Sequence, residues 1–434
     1  MQPSPTLVFE KQLYRKLDKR LLPFLLSLYI VAYLDRVNIS FAKLTMSAQL
    51  AFDDSIYALG AGIFFIGYFL FEIPSNLILQ RVGARLWIAR IMIIWGLLSA
   101  LTAFVQSAQQ FYAVRFFLGV GEAGFFPGII FYLTHWYPAQ RRAKATALFM
   151  TAVALAGVIG SPLSGAIMQY LQGFANLAGW QWLFLLEAAP ALVLGVVVVF
   201  YLHDSPTTAP WLDDTEKRYL LTQLRLETEQ KQRSAQHISG LGQVFCNAQV
   251  WLLSLIYFAI VMGLYGISFW LPQLIKNLGT NSLGQIGWLA AIPYACAAIG
   301  MVFIAHSSDK RHERRWHLVL CTLVASLSLV LSACFADSLF WAMLALSLAC
   351  TAVLSALSIF WTLPTAFLSS TAAAAGIAFI NASGNLAGYC SPFMVAWLQS
   401  LTGTLQSGLY FLAFCLSIAA CLLLWILRPA TTHA

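Results

Sequence analysis

Leu183–Leu202 reads LFLLEAAPALVLGVVVVFYL, twenty positions with a single charge at Glu187. One helix needs about 20 apolar residues to cross the hydrocarbon of a bilayer, so this run is a transmembrane segment. The stretch after it is its opposite. From 203 to 246 the chain carries Asp213, Asp214, Glu216, Lys217, Arg218, Arg225, Glu227, Glu229, Lys231 and Arg233, and no other long connection interrupts the apolar runs. Before it lie spans at 21–46, 55–79, 86–106, 110–136, 145–170 and 183–202; after it lie 248–275, 284–305, 316–335, 339–363, 371–400 and 408–427. The expected fold is an all-α membrane protein with 12 transmembrane helices, six in an N-terminal half (1–202) and six in a C-terminal half (247–434), joined by a loop at 203–246. Inside the loop, Asp213 followed three residues later by Glu216 has the form of a capping box and predicts a surface helix.

Composition excludes the main soluble alternatives. Of 434 residues, 60% are hydrophobic and 10% charged, against roughly 45–50% and about 25% in soluble domains. The net charge of +8 would suit nucleic acid, but no basic groove or zinc-finger spacing accompanies it. The eight cysteines, Cys246 to Cys421, never form CxxC and read as small apolar packers. No metal spacing, phosphate loop or nucleophile triad is present, so neither cofactor nor enzymatic activity is expected.

The excess positive charge sits in loops. Lys and Arg are retained on the cytoplasmic side during insertion. Placing the amino terminus there puts every basic residue on that side except Arg36, Lys43, Arg115 and Lys276, with both termini cytoplasmic. Lys43 and Lys276 lie near outer helix ends, where long stems snorkel to headgroups. The first apolar run is long and lacks a cleavage site, so it stays in the bilayer.

Arg36 and Arg115 remain at depth, with the acids Asp35, Glu72, Glu122 and Glu187, all in the first half. Intramembrane ionisable groups are costly and mark functional sites by default. Asp35 lies about 14 residues into its span and Glu122 about 12, roughly 21 and 18 Å at 1.5 Å per residue, near the middle of a core about 30 Å thick. Arg115 and Glu122 are two turns apart on one face of their helix, with Gly119 and Gly121 between them. Asp35 and Arg36 diverge by about 100°, so one cavity need not hold both. An arginine fork fits a carboxylate, and a buried acid can exchange a proton. Glu72 and Glu187 read as structural hydrogen-bonding groups.

Two basic turns repeat at equivalent places, NLILQRVGAR (76–85) after the second span and SSDKRHERR (307–315) after the eighth. A parallel repeat with its site between the halves is the plan of alternating-access carriers. These loops resemble the repeated signature of the major facilitator superfamily, with Gln80 where the first copy usually has Asp. The resemblance implies gate roles for Arg81, Arg85, Asp309 and Arg315. YLDRVNISFA (33–42), RFFLGVGEAG (115–124), Tyr68 with EIPSN (72–76), GWQWLFLLE (179–187) and FWTLP (360–364) resemble that superfamily's anion:cation symporter branch over nearly the whole chain.

That resemblance implies organic-anion binding by Arg36 and Arg115, proton coupling by Asp35 and Glu122, and a substrate-facing Tyr68. In the opposite half, Trp361, Asn381 and Asn385 are the neutral residues expected to meet substrate hydroxyls. Tyr265, Ser268 and Gln273 are further polar groups there. The expected activity is proton-coupled import of a small organic anion, a hydroxycarboxylate such as tartrate or a sugar acid, by a monomer in a bacterial inner membrane. Two alternatives stand beside it. One is an aromatic-carboxylate symporter. The other is a drug/proton antiporter, whose helix 5 motif Gly157, Gly160, Pro162 and Gly165 resemble; a bent, closely packed helix also explains them.

Overall fold

A computed structural model describes residues 5–234, 247–311, 313–367 and 370–426. Cys246 and the end of the central loop, 235–246, lie outside them. The first half contains α1 (Pro5–Gln49), α2 (Asp54–Val82), α3 (Ala84–Thr102), α4 (Ala108–Glu122), α5 (Phe125–Thr134), α6 (Ala139–Met150), α7 (Ala152–Tyr170) and α8 (Gly179–Tyr201). After α9 (Asp214–Ser234), the second half contains α10 (Ala248–Asn277), α11 (Leu283–Arg311), α12 (Arg315–Cys334), α13 (Leu339–Phe360), α14 (Thr362–Phe367), α15 (Ser370–Thr402) and α16 (Gln406–Ile426). No strand occurs among the described residues. Among the described residues eleven spans are long and apolar enough to cross a bilayer. The 33-residue α15, packed between α2 and α10, completes twelve.

The packing repeats from half to half. Adding six to each span number turns α1, α2, α3, α4, α7 and α8 into α10, α11, α12, α13, α15 and α16. The intra-half pairs α3 with α8, α2 with α4, α1 with α7, α1 with α8 and α3 with α4 then map onto α12 with α16, α11 with α13, α10 with α15, α10 with α16 and α12 with α13, and all ten are in contact. Between the halves, α7 packs on α11 and α2 on α15, a pair of contacts the operation exchanges, while α1 packs on α10. These are the relations of two six-helix units about a pseudo-two-fold axis. Outward faces are apolar, with Phe200 78% and Phe303 71% exposed, as hydrocarbon requires.

Local sequence explains how the spans depart from straight rods. The predicted span at 110–136 is broken at Ala123–Gly124, where Gly124 adopts φ +86°, a conformation that suits glycine. The Ser75 hydroxyl donates to the freed Ala123 carbonyl at 2.6 Å. The break leaves Glu122 as the last residue of α4. The tenth span breaks at Trp361, three residues before Pro364. On α7, a side chain at Gly165 would collide with the backbone of Leu283 and Gly287. The glycine and proline motif there is therefore a close helix–helix crossing between the halves.

The termini of the spans carrying most basic loops define one end of the bundle, called here the basic end. There α1 continues beyond the predicted span with Leu13, Tyr14 and Leu17 buried. It is tied to its half by Arg141–Glu10 at 2.7 Å and by the Tyr137 hydroxyl on Asp18 at 3.0 Å. Helix α9 starts at the expected capping box, with Asp213 N–H donating to Glu216 at 3.0 Å and Glu216 N–H to Asp213 at 2.7 Å. Lys16 pairs with Glu216 at 2.6 Å, so α9 is fastened to the first half.

Candidate functional site at the boundary of the halves

The 100° between consecutive helical residues sends Asp35 and Arg36 in different directions. Arg36 faces the boundary. Its Nη2 lies 2.5 Å from Glu122 Oε1, and Nε donates to the same oxygen at 2.7 Å. Its Nη1 reaches the Tyr265 hydroxyl on α10, in the other half, at 3.3 Å. The guanidinium lies over the rings of Tyr68 and Phe64, 5.2 and 5.5 Å from their centroids, at separations where a cation is attracted to an aromatic face. Glu122 is fully buried and its Oε2 has no hydrogen-bond partner among the described residues.

Asp35 faces the interior of the first half. Its Oδ1 accepts from Asn38 at 3.2 Å and from the Ser99 hydroxyl, and its Oδ2 accepts from the Trp95 indole at 2.5 Å. Trp95 and Ser99 are four apart on α3 and share a face; neither is singled out by the sequence, since both look like ordinary packing residues. Arg115 is also internal and 1% exposed. Its Nε donates to the Gly60 carbonyl at 3.3 Å, and its guanidinium lies 5.3 Å from Phe64, the ring that also meets Arg36. The divergence of Asp35 and Arg36 thus gives two layers. Arg36 and Glu122 lie at the boundary, Asp35 and Arg115 lie behind, and Phe64 stands between the two guanidiniums.

The second-half candidates are arranged differently from one another. Trp361 packs edge-on against Tyr257, with centroids 4.9 Å apart. The amides of Asn381 and Asn385 donate to the two carboxylate oxygens of Glu72, at 2.8 and 2.9 Å. Glu187 accepts from Ser164 at 2.7 Å. Arg85 bonds to the start of the central connection, and Asp309 and Arg315 form bonds within their own half. The Arg85 backbone N–H donates to Asp204 at 2.8 Å. Asp309 pairs with Arg314 at 2.5 Å, and Arg315 donates to the Leu424 carbonyl at 3.0 Å. Arg81 is exposed.

Lys43 corrects an expectation. It does not snorkel to the headgroups: it is 4% exposed, pairs with Asp54 at 2.7 Å, and lies 4.0 Å from the Trp270 ring of the other half. A carboxylate and an aromatic face replace the hydration that snorkelling would preserve. Beside it, the Tyr57 hydroxyl donates to the Phe269 carbonyl at 3.0 Å and Lys276 to Leu44 at 3.3 Å. This closes the boundary at the end opposite the basic loops.

A buried ion pair bracketed by two six-helix units is the arrangement of an alternating-access membrane carrier. Residues 25–283, more than half of the chain, match the model of the Major Facilitator Superfamily, and the chain belongs to that family as a multi-pass membrane transporter. It is 50% identical over 422 residues to a protein of Agrobacterium vitis named "Putative tartrate transporter", covering 97% of this chain and 96% of that one. It is 40% identical to the "Quinolone resistance transporter" of Acinetobacter baumannii, covering 93% and 92%. The xylose transporter XylE from E. coli, in a partially occluded inward open conformation, superposes with a TM-score of 0.74 over 96% of this chain and 98% of that one, at 16% identity; that likeness concerns the fold.

Proposed function

We propose that the protein is a proton-coupled symporter importing a small organic anion, a hydroxycarboxylate such as tartrate or a sugar acid. The observation that carries this reading is the Arg36–Glu122 pair, 2.5 Å long, at the boundary of the halves and within reach of Tyr265. Arginine stays charged, and leaving one partner of a buried pair alone costs about 3–5 kcal/mol. Arg36 therefore does not lose Glu122 for nothing. Protonation of Glu122 and arrival of a carboxylate together replace one counter-ion by another, and the site stays neutral throughout. A sugar-acid monoanion then crosses with one proton, and a dianion such as tartrate needs a second, taken up by Asp35, to avoid moving a net negative charge through the bilayer.

In this scheme Arg36 holds the carboxylate bidentately, with Tyr68 beneath it, and Trp361, Asn381 and Asn385 complete the substrate site from the other half. Arg115 acts from behind Phe64, raising the positive potential of the site and steadying Asp35, which serves as the second proton-coupling group. Rocking of units 1–202 and 247–434 about the 203–246 connection exposes the site to either side, with Arg81, Arg85, Asp309 and Arg315 as gate residues. The basic end faces the cytoplasm of a bacterial inner membrane, and a monomer suffices. The relative named for tartrate supports the substrate class.

The aromatic setting of Arg36, with Phe64, Tyr68 and Tyr265 around it, favours an aromatic carboxylate as the second reading. The name of the Acinetobacter relative keeps drug efflux as a third. Uptake into proteoliposomes with an inward proton gradient separates them. Labelled tartrate, with aldonates and phthalate as competitors, is expected to accumulate and to be displaced by the aldonates. Accumulation blocked only by phthalate supports the second reading; cationic dye export without anion uptake overturns the proposal.

A further inference from the structure

Glu72 lies one turn beyond Tyr68 on α2, towards the basic end, and like Glu187 has no role in the transport scheme. Each of its carboxylate oxygens takes one amide of α15, Asn381 on Oε1 at 2.8 Å and Asn385 on Oε2 at 2.9 Å. Asn381 and Asn385 are four apart and lie on one face of their helix, so a single carboxylate accepts from both at once. These bonds join the first half to the second. Charge-assisted bonds of this kind are stronger than neutral ones. Removing the carboxylate leaves two amides without an acceptor, and removing either amide weakens the carboxylate's hold. The contacts that join the halves on the other side of Arg36 are separate: Lys43 with Trp270, Tyr57 with Phe269, and Lys276 with Leu44.

We propose that Glu72 is a gating residue at the basic end, holding the halves together through Asn381 and Asn385, and that they part there only when both amides leave its carboxylate. Glu72 and a hydroxylated ligand then compete for the same two donors. What passes the gate rests on the proposed transport function; the clasp itself does not.

The test uses the full-length protein in nanodiscs, without any anion. Spin labels are coupled to keto-bearing amino acids at Val82 of α2 and Ala378 of α15, both exposed, which leaves the eight native cysteines untouched. Pulsed dipolar spectroscopy reads the distance between the helices at the basic end. Glu72→Ala is expected to move the main population several ångströms longer, and Glu72→Asn combined with Asn385→Glu, which exchanges the partners, to restore the short distance. An unchanged distribution in Glu72→Ala overturns the proposal. So does a long distance that the exchanged pair fails to shorten although that variant keeps the wild-type unfolding temperature. Absence of anion uptake in the labelled wild type would sink the transport reading and leave these distances as they are.

Discussion

At the scale of the residue, two arginines that look alike in the sequence have different surroundings. Arg36 touches Glu122 and Tyr265, whereas Arg115 is enclosed by its own half behind Phe64. Arg36→Gln is therefore expected to abolish anion binding measured calorimetrically on purified protein. Arg36→Lys, which keeps the charge but loses the fork, should weaken affinity tenfold or more, consistent with about 1.5–3 kcal/mol for a charge-assisted hydrogen bond. Arg115→Gln should weaken it less than Arg36→Gln does; an equal or greater loss would place Arg115 in direct contact with the anion. The sequence made legible where all six charges stand along their apolar spans, because helix rise converts residue number to distance along the axis. Which of them face the boundary was not legible, because that depends on helix rotation, and on Trp95 and Ser99, which capture Asp35 but carry no charge to announce it.

At the scale of the element, hydropathy located the spans and the Asp213–Glu216 pair the start of α9, while the breaks needed tertiary context. The break at Gly124 exists because Ser75 of α2 takes over the Ala123 carbonyl, a contact 48 residues away. The extension of α1 below its span is polar enough to escape a hydropathy reading and is held by α9 and α6. Asp53 caps α2, accepting from the Ser55 hydroxyl at 2.6 Å and from Ile56 N–H at 2.7 Å, and these bonds hold its carboxyl below the ordinary aspartate range. Asp53→Ala is expected to cost about 1 kcal/mol. Because the folded-state pKa is lowered, that contribution is present in full above the unfolded pKa and is lost as pH falls through the folded one. Thermal unfolding of wild type and variant should thus differ at neutral pH and converge in acid. Gly165→Leu, placed where α7 meets the backbone of α11, is expected to abolish transport in vesicles while near-wild-type levels reach the membrane; unchanged uptake would show that the crossing tolerates separation.

At the scale of the whole molecule, five intra-half helix pairs of the first half repeat in the second and the inter-half contacts exchange about one axis, yet the deep charges lie in one half only. The second half answers with Tyr265 and the two asparagines of α15. A symmetric frame with an asymmetric site suits a carrier whose charged groups sit at the boundary of its halves, and the two six-helix sets were readable from the single polar stretch that divides them. The most direct test of the exchange of counter-ions at Arg36 is the pH dependence of tartrate affinity in wild type and Glu122→Gln. Wild type is expected to bind more tightly as pH falls, since protonated Glu122 releases Arg36, and Glu122→Gln to bind tightly with that dependence lost or strongly reduced. A Glu122→Gln protein that stays folded and keeps the wild-type pH dependence would contradict the account.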